Sequence, residues 1–315
     1  MIAPSLLYGA VVRARNALYD RGVLGGKRLQ GPVVSIGNLS VGGSGKTPFL
    51  ILLGELLQQR GVAFDVLSRG YGRKTTGIAV VNPDGSATDF GDEPLLIARR
   101  LGVNVVVGED RHQAGVLAEK QGGPRLHLLD DGFQHRGLVR QFDIVLASSD
   151  DAKDSLLPAG RLREPLSSLS RADAVVLTND DSADRLGLAK QLVWRVRRGI
   201  VPPKTPEPYF AFCGIARPEN FFAQLQAAEV VLAGTRAFRD HHRYTGADVQ
   251  ELLRLRQQSG APAFVTTEKD AVNLGEHLQA LRPLHVVPVR MQMDDADVAL
   301  DAMLATIAER KPSAA

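Results

Sequence analysis

Hydrophobic residues in the first part of the chain form short runs that alternate with stretches of helical period. An apolar run over residues 32–36 is typical of a buried strand, and a glycine-rich segment separates it from a helical pattern over residues 48–59. The same alternation predicts strands at 63–67, 103–107, 126–129, 144–147 and 174–177, and helices at 94–101 and 112–120. Short apolar strands that alternate with helices predict a mostly parallel sheet covered on both faces.

Four prolines between residues 199 and 208 interrupt this pattern and indicate an extended connector. Beyond it, strands are expected at 209–213, 229–233, 263–266 and 284–289, and helices at 218–228, 246–259 and 295–310. The chain therefore divides into an N-terminal segment (1–30), an α/β core (31–200), a linker (201–208) and a smaller α/β domain (209–315).

The N-terminal segment has the pattern of an amphipathic helix. Its apolar positions fall on one broad face and are Ile2, Leu6, Leu7, Ala10, Val11, Ala14 and Leu18. Residues 1–30 hold five basic residues and one acidic residue, a net charge of +4, whereas the whole chain carries +3. Two interpretations remain open: the helix packs on its own domain, or it rests on a membrane surface.

Composition excludes several classes of protein. With 315 residues, 44% hydrophobic and 23% charged, the chain is expected to fold, and its small net charge does not favour a nucleic-acid partner. A single cysteine, Cys213, excludes an intrachain disulfide and a cysteine-based zinc site, and favours a reducing, cytosol-facing location. No uncharged apolar run reaches the roughly 18 to 20 residues that cross a bilayer, and the N-terminal segment lacks the charged-then-apolar order and the cleavage site of a signal peptide.

A phosphate-binding loop is predicted between the first core strand and the following helix. Its residues are Ser40, Val41, Gly42, Gly43, Ser44, Gly45, Lys46 and Thr47. In such a loop backbone N–H groups point at phosphate oxygens, the lysine reaches the β and γ phosphates, and the hydroxyl binds Mg²⁺. Ser40 stands where the strict pattern has its first glycine, and Gly42 and Gly43 can supply the backbone conformational freedom that this glycine would give.

Acidic side chains at two further places are candidates for the same site. Asp130 and Asp131 end an apolar strand, where a metal-binding carboxylate is needed, although they could only begin the turn at Gly132. Gln134 and His135 follow and could orient phosphate or substrate. Asp92 precedes a predicted helix and is either its N-cap or a catalytic base.

A polar loop over residues 238–244 contains Asp240, His241 and His242, a pattern that indicates proton handling, metal binding or only an exposed turn. Arginines in residues 68–74 and 160–165, among them Arg73 and Arg163, could neutralise phosphates or be solvated loop charges.

Seven segments carry these features in order: residues 37–48, 68–73, 91–94, 129–135, 158–165, 240–241 and 265–270. Together they resemble the tetraacyldisaccharide 4′-kinase family, the lipid A 4′-kinases of Gram-negative bacteria, over nearly the whole chain. Within them Arg-Gly-Tyr-Gly and Asp-Asp-Gly-Phe-Gln-His discriminate better than the phosphate-binding loop, which many nucleotide-binding proteins share.

The resemblance implies a P-loop NTPase-like α/β fold with a mostly parallel sheet, a second, smaller α/β lobe and an N-terminal amphipathic helix. Residues 31–200 would be the kinase core. It implies an ATP- and Mg²⁺-dependent enzyme, peripheral to the cytoplasmic face of the inner membrane. This enzyme would phosphorylate the 4′-hydroxyl of a tetraacyldisaccharide 1-phosphate to give lipid IVA. The expected partners are this lipid A precursor and the membrane surface; no nucleic acid or obligate protein partner is expected.

The resemblance also implies roles for individual residues. Asp92 would be the general base and His241 would assist it, while the role of His242 and the division of Mg²⁺ binding between Asp130 and Asp131 remain open. The residues expected to position substrate or phosphate are Arg73, Gln134, His135, Arg163 and Glu164.

Two other classes share a phosphate-binding loop. A nucleotide-switched partner-binding protein is disfavoured because Val41 stands where related loops carry a lysine, and because the segment ending at Asp270 lacks the Asn of a guanine signature. A membrane scaffold with a purely structural loop is disfavoured because many charged and glycine motifs follow strands, where α/β sites form.

Overall fold

The structure, a computed structural model, describes residues 2–178, 181–205 and 208–310, with side chains from Pro4 onward. Its helices are α1 (Ile2–Asp20), α2 (Lys46–Gln59), α3 (Ala87–Phe90), α4 (Asp92–Leu101), α5 (Arg111–Gly122), α6 (Pro218–Ala227), α7 (Gly246–Ser259), α8 (Glu268–Leu274) and α9 (Ala296–Glu309). Its strands are β1 (Val33–Asn38), β2 (Phe64–Ser68), β3 (Ala79–Val80), β4 (Val105–Val107), β5 (Leu126–Asp130), β6 (Phe142–Leu146), β7 (Ala174–Thr178), β8 (Leu192–Ile200), β9 (Tyr209–Cys213), β10 (Leu232–Ala237), β11 (Ala263–Thr267), β12 (Leu284–Val287) and β13 (Val289–Met293).

Within the described residues, the larger sheet has the strand order β13-β8-β7-β6-β1-β5-β2-β4-β3. The strands from β8 to β4 pair in parallel, and β13 and β3 pair antiparallel at the two edges. Both faces of the central strands are buried, which explains why these strands are continuous apolar runs. The carboxyl ends of β1 and β5 meet at one edge, where α2 begins, and this edge holds the candidate site.

The smaller sheet has the order β10-β9-β11-β12, with every pairing parallel. Two apolar cores, one on each face, hold α6 against one side and α7 with α8 against the other. This confirms the second α/β lobe. The strand predicted at 229–233 lies a few residues later, because Glu229 ends the preceding helix with a left-handed backbone conformation.

The boundaries of the smaller domain differ from the predicted span of 209–315. After β12 the chain returns to the larger sheet, where β13 pairs with β8 and the helix α9 buries Leu300 and Met303 in the larger core. The physical reason is that β13 covers the edge of β8, which would otherwise leave its N–H and C=O groups unpaired. The two lobes are therefore joined by two connections. The predicted linker, 201–208, forms neither helix nor strand in its described residues; 206 and 207 lie outside them.

The helix α1 packs on the larger lobe through its polar face. Tyr8 Oη donates to the Arg163 carbonyl at 2.9 Å, and Asn16 Nδ2 donates to Glu164 Oε2 at 2.6 Å. The apolar positions predicted from the sequence are on the opposite face and are exposed, Leu7 by 69% and Val11 by 60%. The helix therefore packs on its own domain, as one of the two interpretations expected, but it does so through its polar face and leaves the described apolar positions exposed. The side chain of Ile2 lies outside the described residues. No described helix is long and apolar enough to cross a bilayer.

Candidate active site

The phosphate-binding loop connects β1 to α2 at the carboxyl edge of the larger sheet. Gly45 precedes the helix with φ of 84°, a left-handed conformation that a side chain would strain, and Lys46 is the first helical residue. The Lys46 ammonium donates to Asn38 Oδ1 at 3.0 Å and lies 3.4 Å from Asp131 Oδ1. Thr47 is buried beside it. The loop thus has the position and the side chains that the sequence predicted for binding phosphate.

Asp130 and Asp131 are brought to this loop by β5, the neighbour of β1. Burial, together with the charges of Glu93 and Asp131, raises the pKa of Asp130 to about 7. Burial favours the neutral form of Asp131 too, but the charges of Lys46 and Arg163 outweigh burial and hold the pKa of this carboxyl below its usual value. The two adjacent carboxyl groups therefore differ: one is balanced by protein cations and the other is not.

The donor set fits a magnesium ion. Asp130 Oδ2 accepts from Ser68 Oγ at 2.8 Å, whereas its buried Oδ1 has no hydrogen-bond partner. A hydroxyl and one or two carboxylates are hard oxygen donors, which Mg²⁺ prefers together with phosphate oxygens and water. Among residues 2–178, 181–205 and 208–310, no three His, Cys, Asp or Glu side chains are grouped to hold a metal ion by themselves. This arrangement suits an ion that arrives with nucleotide phosphates.

Asp92 is the first residue of α4, and Gly91 is the N-cap, so the interpretation of Asp92 as a capping residue is wrong. Its buried carboxylate contacts His241 Nδ1 at 2.9 Å and accepts from Asn273 Nδ2 at 3.0 Å. Burial opposes ionisation, yet these hydrogen bonds and the charge of Lys269 hold the pKa of Asp92 at about 2. The carboxylate is therefore ionised at every physiological pH.

His241 comes from the smaller lobe, in the loop after β10, and has a left-handed backbone with φ of 55°. The backbone N–H of His241 donates to the Gly214 carbonyl, and this hydrogen bond fixes the strained conformation. The imidazole lies beside the ring of Tyr71, with ring centres 5.4 Å apart. Burial lowers the pKa of His241, but the hydrogen bond with Asp92 outweighs it and raises the pKa above the usual value.

Two residues of α8 complete this pair and were missed by the sequence analysis. Lys269 Nζ lies 3.2 Å from His241 Nε2 and 3.3 Å from Glu93 Oε1, and Asn273 contacts Asp92 from the next helical turn. The spacing of four residues could have placed Lys269 and Asn273 on one helical face. It could not have shown what that face contacts.

His242, whose role the sequence left open, points away from this pair. Its Nε2 lies 3.2 Å from Asp248, and its ring stacks on Phe238 with centres 4.6 Å apart.

The predicted positioning residues separate into two groups. Arg163 donates to Asp131 Oδ2 at 2.8 Å, and Gln134 Nε2 donates to the Asn38 carbonyl at 3.0 Å, so both lie at the phosphate-binding loop. His135 follows Gln134 in the chain, and burial, together with the charges of Arg111 and Arg140, lowers its pKa to about 4. The side chains of Arg163 and Gln134 are therefore at the site, whereas the charges that act on His135 come from outside the phosphate-binding loop.

The other two contact different parts of the molecule. Arg73 donates to the carbonyl of Gly77 within its own loop. Glu164 is buried under α1, where one oxygen accepts from both Asn16 and Arg171. Neither residue contacts the phosphate-binding loop in this structure, because each is held by a local partner. We therefore regard Glu164 as a residue that anchors α1.

A cleft of about 620 Å³ opens between the lobes beside the phosphate-binding loop. Residues 40–44 line one side of the cleft. Arg217, Asn220 and Gln224 of the smaller lobe line the other. Its position next to Lys46, and its size, are suited to a nucleotide held by both lobes.

Comparisons with known proteins agree with this geometry. The sequence profile of the family described as tetraacyldisaccharide-1-P 4′-kinase, LpxK, matches residues 1–308. The chain belongs to this family. The tetraacyldisaccharide 4′-kinase of Koribacter versatilis (strain Ellin345) is 51% identical over 98% of both chains. That of Geobacter metallireducens is 38% identical over 95% of this chain and 96% of its own.

The crystal structure of LpxK from Aquifex aeolicus in complex with ATP is similar in fold. The TM-score is 0.81 and the identity 33%, with 97% of this chain and 98% of that chain covered. The resemblance and the fold class expected from the sequence are thus confirmed, and the chain is a phosphotransferase of the tetraacyldisaccharide 4′-kinase family. Family membership decides against the nucleotide-switch and scaffold interpretations.

Proposed function

We propose that this chain transfers the γ-phosphate of ATP to the 4′-hydroxyl of a tetraacyldisaccharide 1-phosphate, with Asp92 as the base that receives the hydroxyl proton. The observation that supports this role most strongly is the buried Asp92 carboxylate of the larger lobe, which is held by two side chains of the smaller lobe, His241 and Asn273. Glu93, the next residue, is near enough for its charge to act on Asp130.

A pKa of about 2 makes Asp92 a weak base, and this suits the reaction. Phosphoryl transfer has a loose transition state in which the nucleophile keeps its proton until late, so the base chiefly orients the hydroxyl. In the proposed step the 4′-oxygen forms a bond to the γ-phosphorus while the bond from phosphorus to the β–γ bridging oxygen breaks. ADP leaves, and the hydroxyl proton moves to the Asp92 carboxylate.

The groups that would neutralise charge at the transferred phosphate are those of the phosphate-binding loop and of the end of β5. Lys46 and the N–H groups of residues 40–47 would bind the β and γ phosphates. Thr47 and Asp130 would hold Mg²⁺, with Asp131 either a second ligand or the partner of Lys46 and Arg163. When bound, the ion supplies positive charge that neutralises the phosphate oxygens. Gln134, His135 and Arg163 are suited to position the acceptor.

We propose further that α1 rests on the cytoplasmic face of the inner membrane, which would bring the acylated acceptor to the site without a membrane-spanning segment. The exposed Leu6, Leu7 and Val11 support this, because each would bury apolar surface in the lipid interface. The exposed basic residues that follow, Arg21, Lys27 and Arg28, can contact anionic head groups.

Phosphoryl transfer by matched variants tests the assignment of Asp92. Asp92→Asn keeps the shape and the hydrogen bond from Asn273 but removes the basic carboxylate, so kcat is expected to fall by about 10² to 10⁴ while ATP still binds. Asp84→Asn, the same change at an exposed turn, is the control and should leave kcat unchanged. If Asp92→Asn has the activity of the natural protein, Asp92 is not the base.

A further inference from the structure

The environment of Lys269 is unusual because its ammonium faces three acceptors at once. Nζ lies 3.2 Å from His241 Nε2, 3.3 Å from Glu93 Oε1 and 3.4 Å from Asp240 Oδ1. An ammonium has three N–H donors and no acceptor, so all three contacts can be satisfied together only if each partner accepts. The side chain is mostly buried, with 17% of its surface exposed.

This geometry determines where His241 can carry its proton. A neutral imidazole has one N–H and one acceptor nitrogen. Because Nε2 faces an ammonium, a proton on Nε2 would place two donors against each other. The proton is therefore on Nδ1, which lies 2.9 Å from the Asp92 carboxylate and can donate to it.

The charges around Lys269 keep it cationic. Burial disfavours the charge, but Glu93, Asp92 and Asp240 outweigh burial and raise the pKa of Lys269. Asp92 and Glu93 come from α4, Asp240 comes from the loop of His241, and the Tyr71 ring lies beside the imidazole with ring centres 5.4 Å apart. The ammonium thus acts on His241 in two ways: it occupies Nε2, and its charge opposes protonation of the ring.

We infer that Lys269 is a positioning residue that occupies the Nε2 lone pair of His241 and so leaves the Asp92 carboxylate, not the imidazole, as the base of the pair. This inference rests on the proposed function of Asp92. In an isolated Asp–His pair the imidazole could instead use a free Nε2 as the base, with the aspartate only orienting it. Lys269 removes that alternative because it occupies the Nε2 lone pair.

Nitrogen NMR of the full chain tests the tautomer without any need for catalysis. With ¹⁵N-labelled histidine, and with His241→Gln to assign the signal, the natural protein above pH 8 should show a protonated Nδ1 and an unprotonated Nε2. In Lys269→Met the Asp92 carboxylate still accepts from Nδ1, so the tautomer should be kept, whereas the Nε2 signal should move towards the position of a nitrogen that accepts no hydrogen bond. A protonated Nε2 in the natural protein, or an unchanged Nε2 signal in Lys269→Met, would overturn the inference.

The pH dependence of kcat separates positioning from a merely structural role. Removal of the ammonium raises the pKa of both His241 and Asp92, so the acidic limb of the Lys269→Met profile should move to higher pH by at least about one unit. Lys269→Arg keeps the positive charge and the N–H donors, so the acidic limb of its profile should lie at the same pH as in the natural protein. Lys120→Met, at an exposed position of α5, is the control.

A uniform loss of kcat at every pH would show that Lys269 supports only the fold. If the natural protein itself transfers no phosphate, the proposed function fails, and the NMR experiment still decides whether Lys269 donates to Nε2 of His241.

Discussion

Asp92 and His241 are 149 residues apart in the chain, yet the carboxylate and the imidazole Nδ1 lie 2.9 Å apart. One comes from a helix of the larger lobe and the other from a loop of the smaller lobe. The pair therefore exists only when the lobes are correctly placed against each other. Arg100 strengthens this contact, because it pairs with Glu55 within the larger lobe and with Glu268 of α8.

Replacement of His241 should impair turnover more than binding. His241→Gln removes the imidazole that contacts Asp92, and we expect kcat to fall by about 10²-fold, with the KM for ATP little changed. Steady-state kinetics at saturating acceptor measure this. The control is His242→Gln, since His242 stacks on Phe238 and pairs with Asp248 away from the site. Equal losses in both variants would contradict the assignment.

The lowered pKa of Asp92 predicts how the free energy of unfolding changes at acidic pH. A carboxyl with a pKa of about 2 in the folded protein and 3.8 when unfolded stabilises the fold by about 2 kcal/mol above pH 4. This contribution is lost as the pH falls through the folded pKa. The free energy of unfolding should therefore fall less between pH 5 and pH 3 in Asp92→Asn than in the natural protein, as urea titrations would measure.

His241 differs between the natural protein and Asp92→Asn, because Asp92 is the group that raises its pKa. Without Asp92, burial and the charge of Lys269 lower the pKa of His241, so the imidazole would add a pH dependence of its own. Asp92→Asn with His241→Gln removes this second titration. Parallel pH dependence of the natural protein and this double variant would show that the Asp92 carboxyl is not perturbed.

The exposed face of α1 should control membrane binding. In the double variant Leu7→Glu with Val11→Glu, each substitution replaces an apolar side chain that would contribute about 1.5 to 3 kcal/mol on burial. We expect co-sedimentation with anionic phospholipid vesicles to be lost. Val231→Glu with Val298→Glu makes comparable changes at exposed positions remote from α1 and should bind as the natural protein does. Unchanged binding of the α1 variant would refute the proposed membrane contact.

Glu164 should stabilise the fold rather than position substrate. Its carboxylate is buried and accepts from Asn16 at 2.6 Å and Arg171 at 2.9 Å. Glu164→Ala leaves the Arg171 charge without its partner, so we expect the free energy of unfolding to fall by about 3 to 5 kcal/mol. Glu251→Ala, which breaks a more exposed pair with Arg236, should cost less than about 1 kcal/mol. A stable but inactive Glu164→Ala would instead support the positioning role expected from the resemblance.

Several parts of the fold and the site could be predicted because they depend on local sequence. The buried parallel strands are continuous apolar runs, and the loop before α2 has the glycines and the lysine of a phosphate-binding loop. Asp130 and Asp131 were predicted because the carboxyl ends of neighbouring parallel strands meet at one edge. The pairing of Asp92 with His241 required the family resemblance, since no local pattern joins residues so far apart.

Other parts depend on contacts that the local pattern does not carry. The strand β8 was missed because Arg195, Arg197 and Arg198 interrupt its apolar run, and its edge is covered only when β13 returns from the smaller lobe. Lys269 was overlooked because its partners come from two segments distant in the chain, α4 and the loop of Asp240 and His241. The sequence pattern also predicted a single boundary between the lobes, whereas the chain crosses between them twice.

The most direct test of the account is transfer of labelled γ-phosphate from ATP to a tetraacyldisaccharide 1-phosphate in detergent micelles. The natural protein is compared with Lys46→Met and Asp92→Asn. The account predicts a product labelled at the 4′ position from the natural protein, with rates at least about 10²-fold lower for both variants. No transfer by a folded natural protein that binds ATP, or full activity of Asp92→Asn, would contradict it.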